Sequence, residues 1–199
     1  MTTDFAPINL TNHFLIAMPG LVDVLFSKSV IYVCEHSERG ALGLIINKPG
    51  NMTIDSLFDK VDLSLRRSDL SGKPVFNGGP VQMDRGFVLH EPLFAAEDKP
   101  EEPLYASTLS IAGGLEMTTS RDVLEAIAMG AGPQRVFLSL GYSAWGEGQL
   151  ESELKENSWL TVDADHALIF GVPIEQRYDR ALALLGLKAY MISSQAGHA

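Results

Sequence analysis

A single cysteine, Cys34, stands in 199 residues. That excludes a small scaffold held together by disulfides. Long apolar runs are missing as well, since no stretch reaches the roughly 18 consecutive apolar residues of a membrane span. Met1-Thr2-Thr3-Asp4 carries no basic segment leading into an apolar run, so no secretory leader is visible. Basic charge is scarce: 15 Lys plus Arg face 25 Asp plus Glu, for a net charge of −10 and a pI near 4.9. Nonspecific nucleic-acid affinity comes mainly from neutralising phosphates with Lys and Arg. The densest basic cluster, Arg66-Arg67, is flanked by Asp62 and Asp69 and forms no stripe. Direct DNA binding is therefore disfavoured. These absences predict a cytoplasmic protein with no membrane segment.

What is present is a core. With 46% hydrophobic and only 20% charged residues, disorder is excluded as the dominant state. A chain of this mass removes about 70 per cent of its unfolded surface from water on folding. The length predicts one domain over 1–199, with 92–103 as the place where two intimate lobes would join. Within that stretch, Glu97 to Pro103 reads as a solvated acidic loop, because its two prolines oppose helix and strand interior alike.

Val30-Ile31-Tyr32-Val33 mark a strand over Ser29–His36, and Leu42, Leu44, Ile45 and Ile46 a second over Ala41–Asn47. The four residues between them predict a hairpin loop. Both strands are apolar on both faces, the pattern of strands covered on two sides. Thr53–Val61 reads as a short helix capped by Thr53. Phe87–His90 is a short strand, and Leu104–Ile111 with Leu115–Thr118 a hairpin around Gly113-Gly114. Thr119–Gly130 reads as a helix, with Thr119 as cap and Asp122 three residues on. Arg135–Leu140 is a strand running into a glycine-rich loop over Gly141–Gly148. Helices follow over Gln149–Glu156 and Ile174–Leu185, and Ser193–Ala199 reads as a frayed tail. Strands in hairpins, interrupted by helices, give an α+β class with a mixed, mostly antiparallel sheet or barrel-like core.

Gly141 and Gly146 have Walker A separation, but Glu147 and Gly148 stand where that motif needs Lys and Ser or Thr, so the phosphate-loop reading fails. The Gly-x-Ser-x-Gly nucleophile elbow lacks its second glycine. Cys34-Glu35-His36 is the chemically richest tripeptide. On a regular strand Cys34 and His36 share a face, which would suit a thiol hydrolase or redox enzyme. The plainer account is an inert buried thiol. Glu35-His36 and His90-Glu91 could meet as metal ligands if their strands were neighbours. Neither has ligand spacing of its own, and hydrogen-bonded structural histidines are the plainer account. Gln149, Glu153 and Asn157 recur every four residues beside Tyr142, Trp145 and Trp159. They form either a solvated face or a partner-recognition patch. No cofactor and no metal is implied.

The segments Phe14-Leu15-Ile16-Ala17-Met18-Pro19, Val30–His36, Gly43-Leu44-Ile45-Ile46-Asn47-Lys48-Pro49, Asn77-Gly78-Gly79-Pro80 and Asp84–His90 occur in that order. They are followed by Gly141-Tyr142-Ser143-Ala144-Trp145-Gly146, Gly148–Glu151 and Asn157-Ser158-Trp159-Leu160. In this the chain resembles the YqgE/AlgH family of bacterial proteins over nearly its whole length. Ser143-Ala144 departs locally from the pair of small residues, often Ala-Gly, that the family places there. The resemblance implies a cytosolic α+β protein with no established activity, some of whose members carry the label of transcriptional regulator. It points to Asp23, Glu35, His36, Asn47, Arg85, His90, Gln149 and Glu151 as recurrent polar positions without assigned roles. The resulting expectation is a non-enzymatic regulatory or adaptor protein that binds a protein or small-molecule partner, any transcriptional effect being indirect. Its surface would gather Tyr142, Trp145, Gln149 and Glu151, with His36, Asn47, His90 and Arg85 nearby. The rival readings are the thiol enzyme and a direct DNA-binding regulator.

Overall fold

A computed structural model describes residues 8–94 and 103–192. The N-terminal Met1–Asp4, most of the acidic loop and of the 92–103 join, and the tail Ser193–Ala199 lie outside the described residues. In chain order the elements are β1 His13–Ala17, β2 Val30–Ser37, β3 Gly40–Ile45, β4 Pro49–Thr53, α1 Ile54–Lys60 and β5 Pro74–Asn77. Then come β6 Val81–His90, β7 Thr108–Ile111, β8 Leu115–Thr118, α2 Arg121–Ala128 and β9 Val136–Trp145. The chain continues with α3 Gln149–Lys155, β10 Trp159–Asp163, α4 His166–Phe170 and α5 Arg177–Leu184.

The strands form one curled, mostly antiparallel sheet in the order β10-β1-β2-β3-β9-β6-β8-β7. Off that path β5 pairs with β4 and, in parallel, with β9. The class is α+β, as expected. The β2–β3 hairpin is tighter than predicted: Ser37 pairs with Gly40, leaving only Glu38-Arg39 in the turn.

Strand alternation sorts the core into layers. Phe14, Ile16, Val30, Tyr32 and Leu44 enter one cluster, roofed by Leu168 and Ile169 of α4 and Ala181 and Leu182 of α5. Leu15, Ala17, Ile31, Val33 and Ile45 enter a second on the opposite face, under Leu150 of α3. That is why β2 and β3 are apolar throughout. A third cluster packs Phe58 of α1 and Val123 and Ile127 of α2 onto Val88 and Leu138. Each such side chain contributes about 1.5–3 kcal/mol when fully buried. Arg177, buried in this frame, donates to the carbonyls of Ile46 and Val172 and lies over Phe76. Burial lowers its guanidinium to about 10.

Thr53 caps α1, its Oγ1 accepting from the Ser56 N–H at 3.3 Å. The cap of α2 is Ser120 instead of Thr119, and α2 begins at Arg121. Thr119 instead closes the preceding hairpin, its N–H donating to Ser107 O. The larger correction concerns Gly141–Gly148. Five of these residues, through Trp145, continue β9 as a ten-residue strand. Gly141 sits there at φ +72° because backbone passes against it: a Cβ would lie 2.4 Å from Gly79 O. Glycine here permits a close crossing of chains where a loop had been expected.

Candidate functional site

The sharpest sequence expectation, Cys34 beside His36, is corrected by a β-bulge. Val33 pairs with Gly43 and Glu35 with Leu42, so one extra residue enters β2 between them. Paired residues share a face. The slip therefore leaves Cys34 in the first cluster with Tyr32 and Leu44, and puts His36 opposite Ala41 on the second-cluster side. Cys34 is 1% exposed, and its thiol points at Tyr32 O at 3.8 Å. Burial, then the Glu35 charge, pushes that thiol far above its ordinary value.

His36 finds other partners. The Leu10 N–H donates to Nδ1 at 3.0 Å, which places the neutral ring's proton on Nε2, donated to Glu151 Oε1 at 2.9 Å. Its own N–H donates to Thr11 Oγ1. Both ring nitrogens are thus occupied. Burial of Glu151 would raise its carboxyl, but its own N–H and the His36 bond outweigh that and hold it below the usual range. The pair forms the floor of a cleft of about 370 Å³ walled by Ile8, Asn9, Ser37 and Glu38. A second cleft of about 190 Å³ lies across the hairpin, between Glu35, Arg39, Leu42 and Trp145.

The aromatic–polar patch closes on itself. Trp145 and Trp159 are buried, their rings edge to face at 6.1 Å. Both indole N–H groups donate to Glu153 Oε2, at 2.9 and 2.8 Å. Gln149 accepts from Gly146 N and donates to Glu153 Oε1. Trp145 is therefore a packed plug whose edge lines a cleft, and Glu153 is the clasp between the two indoles.

The remaining candidates lie elsewhere. Asn47 accepts from Val30 N and donates to Lys28 O. It sits by the start of β2, about 20 Å along the strand from His36 at ~3.3 Å per residue. Tyr142 packs edge to face on Phe87 at 5.3 Å, on the opposite face of β9 from Trp145. Arg85 lies over the same Phe87 ring. His90 on β6 is separated from β2 by β3 and β9, so the two Glu/His dipeptides do not meet. Its Nδ1 faces Glu91 O and Nε2 faces Thr118 Oγ1, each at 2.9 Å. Glu91 is paired with Arg135. Among the described residues no three His, Cys, Asp or Glu side chains are grouped to hold a metal.

His90 gives a pH signature. It is fully buried against Tyr105, and burial lowers its imidazole against the opposing pull of the Glu91 carbonyl and the Glu116 charge. Below the ordinary histidine value the unfolded chain binds a proton that the folded chain refuses, so stability falls on acidification through pH 6.5 and is full above it. His166 is shifted the same way, again mainly by burial. Urea unfolding between pH 7.5 and 5.5 should show this loss, with a slope up to about 1.4 kcal/mol per pH unit for each such histidine. His90→Asn should remove part of the slope, and an unchanged slope would refute the assignment.

Sequence reasoning missed Leu10 and Thr11 as the holders of His36, and Thr118 as that of His90. These partners are backbone groups or hydroxyls 25 to 28 residues away. It also missed a cavity of about 230 Å³ under α1 and α2. No sequence signal marked it, since Leu57, Leu124 and Leu140 read as ordinary apolar positions and their partial coverage shows only in the fold.

The comparisons with known proteins cover the whole chain. A family profile described as AlgH-like matches residues 14–190. The UPF0301 protein of Variovorax paradoxus is 67% identical over 199 residues, and that of Acidovorax sp. 66%, each covering 100% of both chains. The solution structure of the AlgH protein from Pseudomonas aeruginosa superposes with a TM-score of 0.75 at 44% identity, covering 100% of both chains. A crystal structure of a protein from Corynebacterium diphtheriae has a TM-score of 0.71 at 17% identity over 98% of this chain and 100% of that one. The latter likeness is one of fold alone.

Proposed function

Because the chain belongs to the AlgH-like family, we propose from its geometry a non-enzymatic, cytoplasmic regulatory or adaptor protein. It binds a protein partner through the tip of the β2–β3 hairpin and the flank of α3. The observation that carries this reading is the pair of clefts on either side of Glu38-Arg39, floored by the fixed His36–Glu151 pair on one side and the Trp145 edge on the other. Both turn side chains are exposed and free to meet a partner, while the frame beneath them is tied to two clusters. Rigid support under an exposed charged tip is what specific docking asks of a surface.

Against catalysis stand the sealed sulfur of Cys34 and the occupied nitrogens of His36 and His90. A single reduced thiol fits a reducing compartment. Among the described residues no helix is long and apolar enough to cross a membrane. The charge of −10 favours an indirect route for any effect on transcription.

The test is Glu38→Lys with Arg39→Glu, which reverses both turn charges and touches no side-chain bond of the core. Quantitative cross-linking in cells should show at least a tenfold loss of the partners held by the unaltered chain, with Lys60→Glu on α1 as the unaffected control. An unchanged partner profile would place the docking surface elsewhere.

A further inference from the structure

The cavity under α1 and α2 is a second candidate, independent of the hairpin tip. Its walls are Leu57 and Val61 of α1, Leu124 of α2, Val88 of β6, and Leu138 and Leu140 of β9. An apolar cavity of roughly 150 Å³ takes the six carbons of a benzene ring. On that ratio 230 Å³ holds about nine non-hydrogen atoms. Aliphatic walls of this kind ask for an apolar body and leave selectivity to the few polar groups beside it.

Those polar groups are engaged, with one exception. His90 Nδ1 faces the Glu91 carbonyl and so carries the ring proton, which leaves Nε2 to accept from the Thr118 hydroxyl at 2.9 Å. Ser120 donates to Asp122 Oδ1 and accepts from the Ser107 N–H. Thr119 Oγ1 accepts from Arg85, which does not line the cavity and lies over the Phe87 ring. Ser139 pairs with Phe87, and its hydroxyl turns to their side of the sheet, 2.9 Å from where a Gly78 Cβ would stand. Arg121 is paired with Glu125 at 2.9 Å and also donates to Val61 O, so its charge is already met. Asp84 is the exception: it lines the cavity and has no hydrogen bond or ion pair among the described residues. The one charge left over at this cavity is therefore negative.

We propose that this cavity binds a small amine with an apolar body, its chain or ring between α1, α2 and the sheet and its protonated nitrogen on Asp84. The charge-assisted bond to Asp84 gives preference over neutral and anionic analogues of similar size. Because Asp84 is exposed, that preference is moderate, and the buried body supplies most of the affinity.

Three probes that share a ring and a two-carbon arm decide it: phenethylamine, 2-phenylethanol and phenylacetate, titrated into the full chain with methyl chemical shifts as readout. Phenethylamine should saturate, with shifts at Leu57, Leu124 and Leu138, and bind roughly fivefold more tightly than the alcohol. Phenylacetate should bind more weakly than either. Asp84→Asn, an exposed position, should bring the amine down to the level of the alcohol and leave the alcohol unchanged. Leu124→Phe should block all three by filling the space, with the thermal melt checked to show a folded chain. Equal binding of amine and alcohol, tighter binding of phenylacetate, an unaffected Asp84→Asn, or no saturation into the tens of millimolar would each overturn the proposal. The hairpin variants should leave this titration untouched, which separates its outcome from that of the docking surface.

Discussion

Gly79→Ala should leave too little stability for the fold to persist. Gly79 follows β5, with φ at +154°, where β9 runs against it. A Cβ there would lie 2.2 Å from Tyr142 C and 2.3 Å from both Ser143 N and Tyr142 O. All three atoms are backbone, in a strand bonded on both sides, so none moves aside alone. The cost should exceed about 4 kcal/mol, which takes all or nearly all of the stability of a domain at the low end of the usual 5–15 kcal/mol. Gly72→Ala separates the causes. Its φ is +72° with nothing within 4 Å of the added carbon, so it carries only the left-handed backbone cost of about 1–2 kcal/mol. Circular-dichroism melts should show a small drop for Gly72→Ala and no cooperative native transition for Gly79→Ala. Comparable melts for the two would disprove the crossing as the reason for glycine.

The second large effect is chemical. A thiol reagent should leave Cys34 unlabelled in native protein at neutral pH and label it completely in denaturant. Reaction needs a thiolate in contact with solvent, and burial denies both. Labelling then waits for opening. If opening costs about 5 kcal/mol, the rate falls on the order of 10³-fold or more below that of a free thiol. Labelling near the free-thiol rate would revive the thiol-enzyme reading.

Elements with local causes were legible from the chain: the β2–β3 hairpin from its apolar runs, and α1 from Thr53. The strands β1, β4 and β10, five residues each, went unread although the shorter β8 was read, because β8 is marked by the Gly113-Gly114 turn beside it whereas β1 and β10 owe their state to distant partners. His-Phe-Leu-Ile-Ala and Trp-Leu-Thr-Val-Asp are short apolar stretches that become strands by pairing with each other. Gly141 misled for a physical reason, since glycine signals a turn and a close crossing with the same letter. Of the candidate residues, the chain gave the right types but not the company they keep. His36 meets Glu151 across 115 residues. The bulge that turns it away from Cys34 leaves no mark in composition or period. Tyr142 and Trp145 were read as one surface, and strand alternation over three positions sends them to opposite sides of the sheet.

The pairing of β1 with β10 has a consequence for biosynthesis. His13 sits opposite Asp163, so 150 positions separate the partners. At translation rates of roughly 5–20 residues per second, the first strand emerges from the ribosome about 8 to 30 seconds before its mate exists. Through that interval the outer edge of β1 stands open beside the β2–β3 hairpin, offering unpaired amides to any passing strand. A nascent chain stalled before residue 159 should accordingly be a client for chaperones, and release of the last forty residues should end that dependence.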